Sequence, residues 1–180
     1  DRAVRAAAAR SAELGNELGK LGDSLNMLTA TLQFFLQTLG GLLALAFLLR
    51  FLMQWLRVSF ANPLAQFIIR ITDFAVRPAR RVVPGIGGLD WASLLLAWLV
   101  EILVVLGQEW LRGFPFGLAG TAAWLTILGL GTLELLKAAL YLLMGLVLIR
   151  AVLSWFNPYS PMVPLIAPLT DPFLAPFRRM

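Results

Sequence analysis

Few side chains in this chain could do chemistry, and most of them are cations or carboxylates. The 180 residues contain no histidine and no cysteine. That removes the commonest general base and imidazole ligand, together with disulfides, iron–sulfur clusters and thiolate zinc sites. No nucleophile–base pair and no phosphate-cradling loop is present. The turn at Pro84, Gly85, Gly87 and Gly88 has neither the lysine nor the preceding strand that a nucleotide loop needs. The remaining candidates are Arg50 and Arg150, one to two turns inside apolar stretches, and Glu101, the one acid in a run from Trp91 to Gly107. To these are added Glu134 with Lys137, and the basic groups Arg77, Arg80, Arg81, Arg178 and Arg179. An arginine in an apolar helix must snorkel to the headgroups or find a partner. Both readings stand for Arg50 and Arg150, the partner reading naming Glu101. Glu101 lies ten residues beyond Trp91, about 15 Å along a helix, near the middle of a bilayer, where a carboxylate is protonated or paired. Glu134 and Lys137 share a helix face at i, i+3 and can satisfy each other.

The elements that must carry these groups follow from composition. The chain is 59 % hydrophobic and 14 % charged with a mean hydropathy of +0.81, against about 45–50 % and about 25 % in soluble domains. It therefore reads as an all-α integral membrane protein. Residues 24–49 carry no charge and the apolar character continues to Leu56, more than the ~20 residues that cross about 30 Å of hydrocarbon. Residues 91–107 form a second span and residues 132–156 a third, while residues 114–131 are either its extension or a separate interfacial segment. Three crossings place the Arg-rich connection (Arg57, Arg70, Arg77, Arg80, Arg81) on the same side as Arg178 and Arg179, and that side is expected to be cytoplasmic. Trp55 and Trp155 are expected in the aromatic belt there.

The chain repeats itself. Arg50-x-x-x-Gln54-Trp55 returns as Arg150-x-x-x-Ser154-Trp155 at an offset of 100, and at an offset of 98 Pro63, Thr72-Asp73, Pro78 and Arg80-Arg81 return as Pro161, Thr170-Asp171, Pro176 and Arg178-Arg179. Four regions follow: an N-terminal appendage (1–26), a first unit (27–107) with two spans, a connection or helix extension (108–131), and a second unit (132–180) with one span and its last helix missing. Within each unit a segment (64–77 and 162–175) is expected to lie flat at the interface. In the first of these, Leu64, Phe67, Ile68, Ile71, Phe74 and Ala75 face acyl chains, while Gln66, Arg70, Asp73 and Arg77 face headgroups. Asn62 serves as cap and Pro63 as first helical residue, and Pro78 and Pro176 are expected to end the segments. An alternative for this piece is re-entrant packing on the bundle.

The twice-repeated Arg-x-x-x-x-Trp, Thr-Asp and double-Arg blocks, with Pro84, Gly87 and Asp90, resemble the YggT/YlmG family of small bacterial and plastid membrane proteins over residues 27–180. Residues 1–26 are similar to the C-terminal tail of pyrroline-5-carboxylate reductase; a short coiled-coil spacing of Val4, Ala7, Leu14, Leu18, Leu21 and Leu25, continued by Leu28 and Leu32, is the other account of them. The family resemblance implies a multi-pass protein of the inner (plasma) membrane with roles in cell division and envelope organisation, osmotic-stress tolerance, and, in plants, nucleoid distribution and cytochrome assembly. The expectation is a non-catalytic scaffold with no cofactor and no metal. Its Arg77, Arg80, Arg81, Arg178 and Arg179 would engage anionic membrane lipids or membrane and division proteins. No direct nucleic-acid partner is expected, and a homo-oligomer is possible on this reading. The other reading is a small ion transporter or channel.

Overall fold

A computed structural model of the chain describes residues 2–58, 63–83, 85, 88–118, 120–156 and 162–178. Within them the chain is helical, with no strand. The helices are α1 (Arg2–Trp55), α2 (Pro63–Val82), α3 (Trp91–Leu111), α4 (Thr121–Phe156) and α5 (Val163–Arg178), with a single 3-10 turn at Phe116–Leu118. Segments of α1 (Glu13–Trp55), α3 (Trp91–Leu111) and α4 (Thr121–Trp155) are long and apolar enough to cross a membrane, the three spans expected from composition.

Of residues 114–131, those from Thr121 onward belong to α4, one unbroken helix of 36 residues, and Phe116–Leu118 form the 3-10 turn before it. At 1.5 Å per residue that helix is about 54 Å long, well beyond the hydrocarbon thickness, so it must tilt or project from it. α1 is longer still, 54 residues without a break. Gly15, Gly19 and Gly22 do not interrupt it, because each costs only up to about 1 kcal/mol among strong helix formers.

The bundle closes in layers. α3 runs antiparallel to α1 and α4, while α1 and α4 run parallel, touching through Phe47, Leu48 and Ala138 in one cluster and through Leu52, Met53 and Leu146 in another. Three glycines set the distance between helices, since apolar helices in lipid approach most closely where side chains are smallest. A Cβ on Gly40 would collide with Val104 Cγ2, and one on Gly107 would stand 2.6 Å from Leu36 Cδ2. At Gly131 the obstacle includes backbone: Ile102 Cα lies 3.2 Å from the added atom. Gly131→Leu is therefore expected to push α4 off α3 at a cost of about 1–3 kcal/mol or more. Gly129→Leu, which points into open space, is expected to stay within about 0.5 kcal/mol. Thermal unfolding of both variants in mild detergent checks this, and equal losses would refute it.

α2 corrects two expectations. It runs through Pro78 to Val82, as α5 runs through Pro176 to Arg178. Proline near the end of a helix removes one backbone donor and does not prevent another turn. The faces of α2 also differ from the expected two. Ala65, Ile68, Thr72 and Val76 form a buried stripe at i, i+3/i+4 spacing, so α2 packs on the bundle. Phe67 and Phe74 remain exposed on a second, apolar face, and Arg70, Arg77 and Arg81 are exposed as well. α2 starts at Pro63 as expected, whereas the cap at Asn62 lies outside the described residues, as do Pro84, Gly87, Pro161 and Arg179.

Trp55, Trp91 and Trp155 stand at the end of the bundle where α1 and α4 finish and α3 begins. Trp110 and Trp124 stand toward the other end. From Trp91 to Trp110 is about 29 Å along α3, the spacing of two aromatic girdles.

Candidate functional site

The polar site is built where α2 crosses the end of α1 and the start of α3. Arg50 projects from the last turns of α1 and is 6 % exposed. Its Nη1 donates to Thr72 Oγ1 at 2.7 Å, to Asp73 Oδ1 at 2.8 Å and to the Ile69 carbonyl at 3.3 Å. These acceptors occupy one turn of α2, and Thr72 in turn donates to the Ile68 carbonyl at 2.6 Å. Arg50 thus pins α2 across the end of α1. The expected pair with Glu101 does not form. Glu101 lies three turns up α3, whereas Asp73 and Asp90 are presented at Arg50's own level, with Nε 3.5 Å from Asp90 Oδ2.

Asp90 is 1 % exposed and sits immediately before α3. Arg80 grips it as a fork, Nε to Oδ1 at 3.2 Å and Nη2 to Oδ2 at 2.6 Å, and Ser93 Oγ donates to Oδ2 at 2.7 Å. Such bidentate guanidinium–carboxylate bonds are among the stronger ones a protein makes. Arg80 Nη2 also reaches Gln54 Oε1 at 3.1 Å, and Gln54 Nε2 reaches the Gly88 carbonyl at 3.5 Å. Gly88 adopts φ +77°, a left-handed turn that glycine takes without strain. Arg77 closes the outer side on Asp73 Oδ2 at 2.7 Å. Burial pushes the Asp90 carboxyl up, but the Arg80 fork, the Ser93 hydroxyl and the charges of Arg80 and Arg50 outweigh it and hold it below the usual carboxylate range. Asp73 is held low in the same way, burial being outweighed by Arg50 and Arg77. Beside the cluster a polar cavity of about 280 Å³ is lined by Arg50, Gln54, Ile69 and Arg80.

The same grip recurs at the end of α4. Arg150 Nη1 donates to Thr170 Oγ1 at 2.6 Å, to Asp171 Oδ1 at 2.6 Å and to the Ala167 carbonyl at 3.5 Å. Thr170 donates to the Ile166 carbonyl at 3.0 Å. Each α5 acceptor stands 98 positions after its α2 counterpart. The second station is more open: the Arg150 side chain is 23 % exposed against 8 % for Arg50. Among the described residues no second carboxylate reaches Arg150 as Asp90 reaches Arg50.

Of the expected site residues, the structure gathers Arg50, Arg77 and Arg80 into one cluster and places Arg81 in the open near them. Trp55 packs on Phe51 at 6.1 Å between ring centroids, and Trp155 is exposed. The Arg178 side chain and Arg179 lie outside what is described. Thr72, Asp73, Asp90, Ser93 and Gln54 had not been singled out as site residues. A signal for the first two was present: a Thr-Asp pair that repeats together with an arginine one helix away.

A sequence model of the CCB3/YggT family matches residues 29–111 and 130–180. Similar chains include an uncharacterized protein of Pseudomonas aeruginosa, 38 % identical over 149 residues, covering 82 % of this chain and 74 % of the relative. They also include the uncharacterized protein YggT of Escherichia coli, 34 % identical over 152 residues, 83 % of this chain and 76 % of the relative. A third is an uncharacterized protein in the proC 3′ region of Vibrio alginolyticus, 36 % identical over 156 residues, 83 % and 80 %. No solved structure matches the chain significantly.

Proposed function

Because this chain belongs to the CCB3/YggT family, we propose that it acts as a non-catalytic scaffold of the inner membrane whose Arg-rich, cytoplasmic end holds anionic lipid headgroups. One observation carries this reading: the polar cavity lined by Arg50 and Arg80, at the end of the bundle that also exposes Arg70, Arg77 and Arg81. A phosphate there meets fixed donors, and the adjoining exposed Phe67 and Phe74 can enter the acyl boundary as in other interfacial helices. Because Asp73 and Asp90 already bond cations, the site has no carboxylate free to act as a base. Positive charge is its surplus, with Arg50, Arg77 and Arg80 against Asp73 and Asp90. Roles in envelope and cell-division organisation or in osmotic-stress tolerance belong to the same proposal, with the Arg-rich end as the surface offered to partner proteins. Recovery of partners from the intact protein in mild detergent would identify them.

The lipid test is quantitative. Each basic residue near an anionic surface contributes about 1 kcal/mol, so changing Arg70, Arg77 and Arg81 to Gln together is expected to lower preference for phosphatidylglycerol over phosphatidylcholine by up to about two orders of magnitude. Native mass spectrometry of protein released from mixed-lipid nanodiscs reads the retained lipids. Equal retention by the variant and the parent would overturn the reading.

A further inference from the structure

A second polar group of side chains lies far from the arginines, inside the bundle. A cavity of about 110 Å³ between α1, α3 and α4 is lined by Gln37, Gly41, Glu101, Glu134, Lys137 and Tyr141 among others. Glu101 is 3 % exposed, and among the described residues no donor or cation lies within bonding distance of its carboxyl. Lys137 pairs with Glu134 on the same face of α4. α1 presents no ionisable group to the cavity, only the Gln37 amide, which bonds Gln108. The titratable set is therefore Glu101 from α3 and Glu134, Lys137 and Tyr141 from α4.

We infer that this cavity is an intramembrane proton-binding site, in which Glu101 and Glu134 share one exchangeable proton and Lys137 pairs with whichever carboxylate lacks it. The argument is charge balance. Two carboxylates and one ammonium sum to one excess negative charge, and an uncompensated charge at this depth is costly. One bound proton makes the set neutral. In the observed arrangement Lys137 pairs with Glu134, so the proton resides on the Glu101 carboxyl. When the proton leaves the Glu101 oxygen for a Glu134 oxygen, the Lys137 ammonium keeps its three protons and moves to Glu101. Both arrangements are neutral, so neither has an ion to desolvate alone. At about 110 Å³ the cavity has room for the few waters such a transfer needs. Lys137 and Glu134 form the α4 side of the cavity and are part-exposed, 48 % and 31 % at the side chain.

The test uses the full chain in lipid nanodiscs and dicyclohexylcarbodiimide, an apolar reagent that attacks protonated carboxyl groups, with peptide mass spectrometry to locate the adduct. Glu101 is expected to be modified, with labelling falling as pH rises. In Lys137→Met the set is already neutral only with both carboxyls protonated, so Glu101 labelling should persist to higher pH. Glu101→Gln should remove the adduct while leaving lipid retention at the arginines unchanged, which separates this site from the proposed headgroup site. No Glu101 adduct at any pH would overturn the inference, as would a labelling profile that Lys137→Met leaves unmoved.

Discussion

Replacing Asp90 with Ala is expected to destabilise the protein by about 3–5 kcal/mol, the cost of removing one partner from a buried ion pair. The carboxylate is 1 % exposed, accepts from Arg80 through both oxygens and from Ser93, and is the second anion facing Arg50. Its loss leaves Arg80 short of a partner, leaves the buried Arg50 with Asp73 alone, and unties the start of α3 from α2. Asp90→Asn keeps the shape and the Ser93 bond, so it should fall between Ala and the parent. Acid should reproduce the effect. Because Asp73 and Asp90 are held below the usual carboxylate range, their contribution is fully present above the unfolded value of about 3.9. It is lost as pH falls through their lower folded values. Thermal unfolding in mild detergent should thus be flat down to about pH 4–5 on this account and fall below it, with a shallower fall in Asp90→Ala. A loss under about 1 kcal/mol in that variant would show that α3 is held by apolar packing alone.

The two repeated arginines should differ in what their removal costs. Arg50→Met keeps an apolar stem of similar length but removes the donors to Thr72, Asp73 and the Ile69 carbonyl. The pair is buried, so about 3 kcal/mol is expected. Arg150→Met removes the same three kinds of bond, yet Asp171 is 52 % exposed at the side chain and water can replace the guanidinium. About 1 kcal/mol or less follows for such a pair. Arg50→Lys should recover only part of the loss, since an ammonium cannot reproduce the guanidinium's spread of donors. Unfolding of the three variants under one detergent condition decides the matter. Equal losses for Arg50→Met and Arg150→Met would mean that the bond pattern, and not its burial, sets the energy.

Much of the architecture was legible from residue order. Long, predominantly apolar runs identified the three spans, since hydrocarbon thickness converts directly into residue count. The recurrence of Arg, Thr-Asp and double Arg was visible because those residue types are rare in so apolar a chain. Helix ends were less legible: Pro78 reads locally as a stop, but packing of Ala65, Ile68, Thr72 and Val76 outweighs one missing backbone bond.

Sequence alone therefore determined what had to enter a membrane and which polar groups would need partners there. It could not determine which partners. For Arg50 it offered Glu101 or the headgroups and did not name Asp73, because charge complementarity has no preference until distance is known. The tertiary structure decided by level. Gly40, Gly107 and Gly131 set how α1, α3 and α4 slide together, and that register puts Asp90 beside Arg50, while the packing of α2 on the bundle brings Asp73 there. The same register leaves Glu101 facing Lys137 and Glu134 across a small cavity. Coulomb energy at these ranges falls with separation and rises as water is excluded, so a slide of a few turns between apolar helices determines which ion pairs hold the fold and which carboxylate is left to carry a proton.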